Sequence, residues 1–247
     1  GAAGDAPTLI IASDAAGMSP ITIRIAPDCA ALFGPKDLDS ALSDARLRIK
    51  RGLGIPFPGV VMRYDAALDD GAFAIDVHEL PRCLGRLQPG RFGEGVSPAA
   101  LGLSPHSLVS GWGPFRDGVW AQGDVQETAD GESGVRWHLA GEVLARNVEW
   151  AVSSQPELFV GFAEAHQLVE EVSKKSPELT QELLRSVPLQ RTTDVLRRLV
   201  QESVSIRPMR EICESLLSWG PREKDPVLLT EYVRIDLGRY IAHRFSG

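Results

Sequence analysis

The sequence predicts a mixed α+β protein of several subdomains, in which a small α/β subdomain carries a small insertion and is followed by a helical subdomain. Three observations lead to this fold class. Apolar and polar residues alternate at period two in three short stretches before residue 80, which is typical of strands with one buried face. Glycine, proline and serine then interrupt short apolar runs over 85–134. After Trp150 the apolar residues recur at helical spacing.

These changes in pattern place the boundaries of the subdomains. Residues 1–18 are expected to be a linker or a cloning remnant, because the chain starts with small, featureless residues. The remaining segments are a first α/β subdomain at 19–92 and 140–150, an inserted small loop-rich subdomain at about 93–139, and a helical subdomain at 151–247. A chain of 247 residues is long enough for one large domain or for several small ones.

The first subdomain is predicted to run strand, helix, strand, strand. The first strand is 21–25, and a helix should follow Pro35 and stop at Gly52, because glycine does not easily prolong a helix. The apolar face of this helix is Leu38, Leu42, Ala45 and Ile49. The later strands alternate at Val60, Met62 and Tyr64 and at Phe73, Ile75 and Val77, with Asp69-Asp70-Gly71 as the turn between them.

Each helix after Trp150 is predicted to begin with a proline near its first turn, because a proline there removes an amide hydrogen that has no helical partner. One helix is expected after Gln155-Pro156, and the next opens at Pro177 with Ser176 as its side-chain cap. The predicted buried faces are Leu158, Phe162, His166, Val169 and Val172 for the first helix, and Leu179, Leu183 and Leu184 for the second.

Three more helices are predicted after residue 190. Thr192 or Thr193 starts one, Ser205 starts the next, and Asp225 caps the last before Pro226. The predicted buried faces are Val195, Leu196, Leu199 and Val200, then Met209, Ile212, Cys213, Leu216 and Leu217, and finally Leu228, Leu229, Tyr232, Ile235 and Tyr240. Short connections imply antiparallel packing of consecutive helices.

The composition argues against several classes of function. A net charge of -7 gives no basic field for phosphates, so nucleic-acid binding is not expected. Cys29, Cys83 and Cys213 are widely spaced and odd in number, which indicates a reducing, cytosolic location and not a disulfide framework. The longest apolar stretch near the start, 9–12, is far shorter than the roughly 20 residues that cross a bilayer.

The search for catalytic patterns finds one weak candidate. His78-Glu79 begins like the zinc motif H-E-x-x-H, but Arg82 occupies the fifth position and Pro81 would break the required helix. Cys83 could join His78 in a thiol-based site, although residues 78 and 83 of one strand point to opposite faces. We therefore expect no catalytic, cofactor-binding or metal-binding residues, and a small enzyme with a site near His78 and Cys83 is the alternative.

Charges of both signs are mixed along the helices. Such mixing usually indicates only a solvated face. The alternative is a subunit contact, in which one edge of a ring presents arginines to glutamates of its neighbour. The residues involved include Arg185, Arg191, Arg197, Arg198, Arg207 and Arg210, together with Glu178, Glu182, Glu202, Glu211 and Glu214.

Two segments of the helical part, residues 193–207 and 224–234, resemble the FlhA/SctV-type export-gate (FHIPEP) family of bacterial type III secretion. The order V-x-I-R, then a helix, then K-D-P-x-L-L-T-E-Y-V-R is more specific than a generic leucine-rich pattern. Residues 20–25, 53–60 and 87–92 resemble upstream landmarks of the same family. The similarity therefore extends over about residues 19–247.

The resemblance implies a non-catalytic docking platform that needs no cofactor. In this family a four-part cytoplasmic domain hangs from a membrane-spanning half and assembles as a nonameric ring below the export channel. This chain would lack the membrane half and the C-terminal part, and would belong to an injectisome rather than a flagellum, at the cytoplasmic face of the bacterial inner membrane. Expected partners are copies of itself, secretion chaperones with their substrates, and gatekeeper and stalk proteins.

The resemblance also implies two surfaces. A hydrophobic depression that receives chaperone-bound substrates would be lined by Pro114, Phe115 and Trp120, with Arg146 where the family has a threonine-histidine pair. Ring contacts would use Arg197, Arg198, Arg207, Glu211, Glu231 and Arg234. Two alternatives stay open: Phe115 is a plain core residue, and the protein is a monomeric adaptor that binds partners through exposed arginines.

Overall fold

A computed structural model describes residues 9–11, 20–96, 108–110, 113–115, 117–122 and 135–245. The chain divides into two compact units: the first comprises residues 1–47 and 58–154, and the second comprises residues 48–57 and 155–247. Sheets occupy the first unit and helices dominate the second, so the predicted α+β class is confirmed. The finer subdomain boundaries stay a prediction.

A five-stranded mixed sheet with the order β1-β3-β2-β4-β5 forms part of the first unit. Its strands are β1 (Leu9–Ile11), β2 (Ile21–Ile25), β3 (Val60–Tyr64), β4 (Ala72–Val77) and β5 (Leu80–Arg86). Strands β1 and β2 run parallel to β3, whereas β4 is antiparallel to β2 and β5. The three predicted strands are confirmed. Strand β1 lies inside the segment expected to be a linker, so ordered structure starts earlier than predicted.

Two long helices accompany the strands: α1 (Pro35–Gly52) lies between β2 and β3 in sequence, and α2 (Ala140–Ser154) follows the last strand. The predicted apolar face of α1 is confirmed, because Leu38, Leu42 and Ala45 are fully buried. Helix α2 contacts β4 and β5, and the alternating isoleucines of β2 have no exposed area. The period-two pattern of the sequence thus marks the buried face of the sheet.

A second, four-stranded antiparallel sheet lies in the segment predicted to be loop-rich. Its strands are β6 (Arg91–Glu94), β7 (Leu108–Ser110), β8 (Asp117–Ala121) and β9 (Arg136–His138), in the order β7-β8-β6-β9. Each strand has three to five residues, and β6 and β8 contain glycine. Because alternation needs at least four residues to be recognised, the glycine-rich pattern concealed this sheet.

The second unit is helical. A 3-10 turn at Pro156–Phe159 precedes α3 (Phe162–Ser173), α4 (Pro177–Ser186), α5 (Leu189–Gln201), α6 (Met209–Trp219) and α7 (Pro226–Phe245). Helices α5 and α6 both pack against α7, and α3 contacts α4, α5 and α6. Across the described segments, we find no helix whose length and apolar character would suffice to span a bilayer.

Three predicted helix starts are wrong. Helix α3 begins at Phe162, after the separate 3-10 turn Pro156–Phe159, and not at Pro156. Helix α5 begins at Leu189, and both Thr192 and Thr193 are buried within it; the hydroxyl of Thr193 donates to the carbonyl of Leu189 instead of capping the helix. Helix α6 begins at Met209 and not at Ser205, because residues 204–208 form no regular secondary structure and the amide of Ile206 donates to the carbonyl of Leu53. By contrast, the Asp225 cap is confirmed, since its Oδ1 accepts the amide of Val227 at 2.8 Å.

The predicted buried faces are correct in part. The predicted apolar face of α5 is buried throughout, and so is that of α6 except for Leu217, which is half-buried. Phe162, Leu184, Leu228 and Ile235 are 45–56% exposed, because the packed faces of α3, α4 and α7 are narrower than a full helical stripe. Ser176 makes no side-chain cap to α4. The side chain of Tyr240 lies outside the described residues.

Candidate protein-binding site

Three aromatic side chains meet on the four-stranded sheet. Phe92 on β6 is directly opposite Trp120 on β8, with ring centroids 5.4 Å apart. Phe115, just before β8, has its ring centroid 4.9 Å from that of Phe92. Both contacts are edge-to-face, which is the arrangement that the quadrupoles of aromatic rings favour. The sequence predicted that Phe115 and Trp120 line the same site. In the structure both rings contact the ring of Phe92.

A cavity of about 20 Å3 lies beside this aromatic cluster. Phe73 of β4 and Val143 and Asn147 of α2 also line it. Such a volume holds about one water molecule. The indole Nε1 of Trp120 is buried without a hydrogen-bond partner, so one polar group faces a largely apolar surrounding.

The loop before Phe115 is held against α2. Gly113 has a φ of +68°, and a Cβ there would lie 2.5 Å from Asn147 Oδ1. Pro114 is half-buried, whereas Phe115 and Trp120 are 5% and 4% exposed. The two rings therefore anchor the loop, and the accessible surface belongs to Gly113 and Pro114.

A histidine and a carboxylate border the cluster. The ring of His138 lies 5.5 Å from that of Phe115, and its Nε2 is 3.4 Å from Glu94 Oε2. Arg146, the other predicted member of the site, pairs with Glu149 at 3.3 Å, while its Nε is buried without a partner. The site is thus an aromatic centre with ionisable groups at its border.

His78, Glu79 and Cys83 are the residues of the alternative enzyme site, and each has its own local environment. His78 and Glu79 form the tight turn between β4 and β5, with φ of 48° and 67°. The thiol of Cys83 donates to Asn147 Oδ1 at 2.9 Å, and burial raises the pKa of this thiol to about 11. Over the described ranges, no group of three or more histidine, cysteine or acidic residues is placed to hold a metal ion. The Cys83–Asn147 pair had no signal in the sequence, because 64 residues separate the partners.

The predicted ring residues lie on several elements of the second unit. Arg197 is exposed and Arg198 half-buried on α5, and neither forms an ion pair with a described residue. Glu231 and Arg234 pair with each other on α7 at 2.5 Å. Arg207 donates to the carbonyl of Arg51 at 3.0 Å. The structure therefore leaves Arg197, Arg198 and Glu211 without an ion pair to a described residue.

A groove of about 410 Å3 within the second unit includes two of these residues, Arg207 and Glu211. Its floor contains the nearly buried side chains of Leu168 and Met209. Lys50 and Lys175 also line it. The sequence could not show this groove, because its walls come from three separate segments of the chain.

The chain is similar to proteins of a known family. The model of the FHIPEP family matches residues 6–247. The chain belongs to the FHIPEP family. The resemblance found in residues 193–207 and 224–234 is thereby confirmed, and relatives of this FHIPEP protein are type III export-gate proteins.

Two curated relatives indicate the extent of the similarity. The low calcium response locus protein D of Yersinia pestis is 34% identical over 213 residues, which covers 84% of this chain and 30% of the relative. The hypersensitivity response secretion protein HrcV of Ralstonia nicotianae is 35% identical over 256 residues, which covers 100% of this chain and 35% of the relative. The FHIPEP chain thus spans about a third of the length of these relatives.

Solved structures share its fold. The Chlamydia pneumoniae CdsV protein has a TM-score of 0.76 and 26% identity, covering 94% of this chain and 72% of that chain. CdsV in its complex with CdsO has a TM-score of 0.75 and 27% identity, covering 94% and 70%. The nonameric EPEC SctV-C has a TM-score of 0.69 and 24% identity, covering 94% and 69%.

Proposed function

We propose that this FHIPEP chain is a non-catalytic part of the export gate of a bacterial injectisome, at the cytoplasmic face of the inner membrane. It forms a ring with copies of itself, and it docks complexes of secretion chaperones with their substrates. Gatekeeper and stalk proteins of the apparatus are further partners. The family membership carries this proposal, and two surfaces of the chain support it.

The docking surface centres on the loop that contains Pro114. The rings of Phe115 and Trp120 are nearly buried, so they act by fixing this loop on the aromatic cluster. A partner would contact the exposed Gly113 and the half-buried Pro114. Arg146 provides a cation next in sequence to Asn147, the residue of α2 that contacts the loop. Recognition of a protein partner by a rigid apolar surface with a charged rim is common at interfaces.

The ring contact centres on α5. Arg197 and Arg198 form no ion pair among the described residues, whereas Glu211 and the Glu231–Arg234 pair lie on α6 and α7. A ring needs a heterologous contact, in which two different surfaces of the same chain meet. Arginines on one helix and glutamates on others satisfy this requirement. The EPEC SctV-C protein, solved as a nonamer, has the same fold, and the partner of CdsV in its complex is CdsO.

The ring proposal is tested by sedimentation velocity over a concentration series at low and high salt. Arg197→Glu reverses an exposed charge without a described ion pair, and Arg222→Glu does the same on the short segment between α6 and α7. We expect association that weakens with salt and with Arg197→Glu but not with Arg222→Glu. A strict monomer at all concentrations, or equal effects of the two variants, would contradict the proposed contact.

A further inference from the structure

Strand β5 is one edge of the five-stranded sheet. Its described partner is β4, with Phe73 opposite Gly85 and Ile75 opposite Cys83. No described strand pairs with the outer side of β5. An edge strand with free backbone groups is a template for another chain, so its surface decides whether that template is usable.

The direction of the backbone groups follows from one hydrogen bond. The amide of Leu87 donates to the carbonyl of Gly71 at 2.8 Å. Hydrogen-bonded positions alternate in an antiparallel pair, so Gly85 and Cys83 also face β4. The amide and carbonyl groups of Leu84 and Arg86 therefore point away from β4, toward the open edge.

The side chains of β5 at this edge are apolar or basic. Leu84 is 44% exposed, and Arg82 is exposed without an ion pair among the described residues. Arg86 is also exposed, with its guanidinium 3.1 Å from Asp69. Strand β5 contains no acidic residue. The edge thus presents an apolar side chain between two cations.

Only one half of β5 has the features that normally block an edge. Pro81 lacks an amide hydrogen, and the register shifts by one residue between Ile75 and Asp76 of β4, which is a β-bulge. Both features lie in the first half of β5. The second half, from Cys83 to Arg86, pairs regularly with β4, so its outer side has the geometry that strand addition requires.

The turn that leads into β5 gives an independent indication of function. His78 and Glu79 both have positive φ, a conformation that glycine and asparagine adopt at less cost in the two-residue turns of hairpins. Strain of this kind is concentrated at sites of interaction and switching. The hairpin tip and the open edge are adjacent along the chain.

We propose that the outer edge of β5 binds an extended segment of a partner protein as an additional strand, with an apolar residue opposite Leu84 and carboxylates opposite Arg82 and Arg86. Main-chain hydrogen bonds to Leu84 and Arg86 provide the affinity. Complementary charge provides the specificity, because opposite charges across neighbouring strands attract and like charges repel. Leu84 and Arg86 lie in the regularly paired half of β5, whereas Arg82 is the bulge residue without a partner on β4. This surface uses other residues than the α5 ring contact, and it adjoins the proposed docking loop, because a Cβ on Gly113 would lie 3.2 Å from Cys83 Sγ.

The test uses the whole chain and two synthetic peptides. The first is Thr-Glu-Thr-Val-Thr-Glu-Thr, and the second replaces both glutamates with lysine. Residue-resolved amide hydrogen exchange reports on Leu84 and Arg86, and fluorescence anisotropy of the labelled peptide gives the affinity. We expect the acidic peptide to slow exchange of these two amides by about tenfold or more at saturation, and the lysine peptide to bind more weakly.

Two variants separate the backbone contribution from the charge contribution. Leu84→Pro removes one outward amide hydrogen while the bonds of Cys83 and Gly85 to β4 are kept, and Leu84→Ala is its matched control. We expect Leu84→Pro to weaken the acidic peptide about tenfold relative to Leu84→Ala. Arg82→Glu keeps every amide of the edge and leaves Arg86 as its one remaining cation, so it should abolish the preference between the two peptides, which tests the proposal even if Leu84→Pro does not fold.

Three results would overturn the proposal. One is unchanged exchange at Leu84 and Arg86 up to the solubility limit of the acidic peptide. Another is equal affinity of the peptide for Leu84→Pro and Leu84→Ala. The third is protection of the same amides that depends on protein concentration in the absence of peptide, because the occupant would then be a second copy of this chain.

Discussion

Arg24 on β2 donates to both carboxylate oxygens of Asp76 on the neighbouring strand β4, at 2.6 and 3.1 Å. A third bond, at 2.9 Å, reaches Asp65 at the end of β3. The hydrogen bonds to Asp76 and then to Asp65 raise the pKa of Arg24 above its ordinary value. One guanidinium thus ties together three strands on the sheet face opposite to the buried isoleucines of β2.

Replacing Asp76 with asparagine should destabilise the first unit. Asp76 is 5% exposed, so Asp76→Asn leaves Arg24 partly buried with one carboxylate in place of two. We expect a loss of about 2 kcal/mol in the free energy of unfolding, the usual range for hydrogen bonds to charged groups. Urea unfolding measures it. Asp69→Asn removes an exposed pair with Arg86 and should change stability little; an equal loss in both variants would contradict the role of Asp76.

The three buried thiols should make the protein less stable at alkaline pH. Burial raises the pKa of Cys29 and Cys83 to about 11 and that of Cys213 to about 12. In the unfolded chain a thiol loses its proton near pH 8.5. The unfolded state therefore releases protons first, and the stabilisation present below about pH 8.5 is lost as the pH rises toward 11.

Urea unfolding from pH 7 to pH 10.5 measures this loss. Cys213→Ala should flatten the alkaline decline relative to the unchanged chain, although its stability at pH 7 is lower. The native thiols should also react slowly with iodoacetamide at pH 8. A decline of the same steepness in Cys213→Ala would show that other groups cause it.

The backbone of the β4–β5 turn makes Glu79 an unfavourable residue. Its φ of 67° is in the left-handed region, which costs a non-glycine residue about 1 kcal/mol. Glu79→Gly should therefore raise the free energy of unfolding by about 0.5 kcal/mol, after the greater flexibility of glycine in the unfolded chain is subtracted. Glu79→Ala removes the same side chain but keeps the strain, so it should give no gain. Thermal unfolding compares the two, and equal stability would argue against strain at this position.

The sequence predicted well those parts of the fold in which one element carries its own pattern. The alternating isoleucines of β2 and the spacing of Leu38, Leu42 and Ala45 on α1 identified buried faces correctly. Residues whose surroundings come from distant segments could not be predicted. Cys83 is hydrogen-bonded to Asn147, 64 residues away in the sequence. The start of α5 follows Pro188, and the start of α6 depends on the hydrogen bond from Ile206 to Leu53. Local propensity gives no information on such contacts.

In the candidate site, too, the sequence predicted some features and could not predict others. Phe115 and Trp120 were predicted as neighbours of a depression, and the structure places both against Phe92. Their near-complete burial was not predicted, because the strands β6 and β8 that bury them are too short and too rich in glycine to give a strand pattern. The accessible part of the site is consequently the loop at Gly113 and Pro114.

Phe115 should contribute to stability as well as to docking. Phe115→Ala removes most of a nearly buried ring and enlarges the cavity beside it, which should cost about 3 kcal/mol. Phe115→Leu keeps most of the volume and should cost less. We expect Phe115→Ala to weaken the binding of a purified secretion chaperone loaded with its cargo, because the Pro114 loop loses its anchor. Calorimetric titration measures the affinity; Leu184→Ala, an exposed change in the second unit, is the control. Unchanged affinity in a folded Phe115→Ala would remove this loop from the docking site.

Gly54 is required by the contact between residues 48–57 and the segment 204–208 before α6. Its φ is +81°, and a Cβ there would lie 2.5 Å from the backbone nitrogen of Arg207, in a segment already held by the bond from Ile206 to Leu53. Gly54→Ala must therefore displace backbone rather than a flexible side chain, and we expect a loss of about 2 kcal/mol or more in the free energy of unfolding.

Gly52 provides a matched control for this substitution. It is the last residue of α1, and a Cβ there would meet no atom within 4 Å. Because alanine prolongs a helix better than glycine, Gly52→Ala should be neutral or raise stability by up to about 1 kcal/mol. Urea unfolding compares the two variants, and amide exchange of Ile206 reports whether its bond to Leu53 survives. If Gly54→Ala is as stable as Gly52→Ala and the Ile206 amide stays protected, the backbone contact at Arg207 is not what fixes this segment.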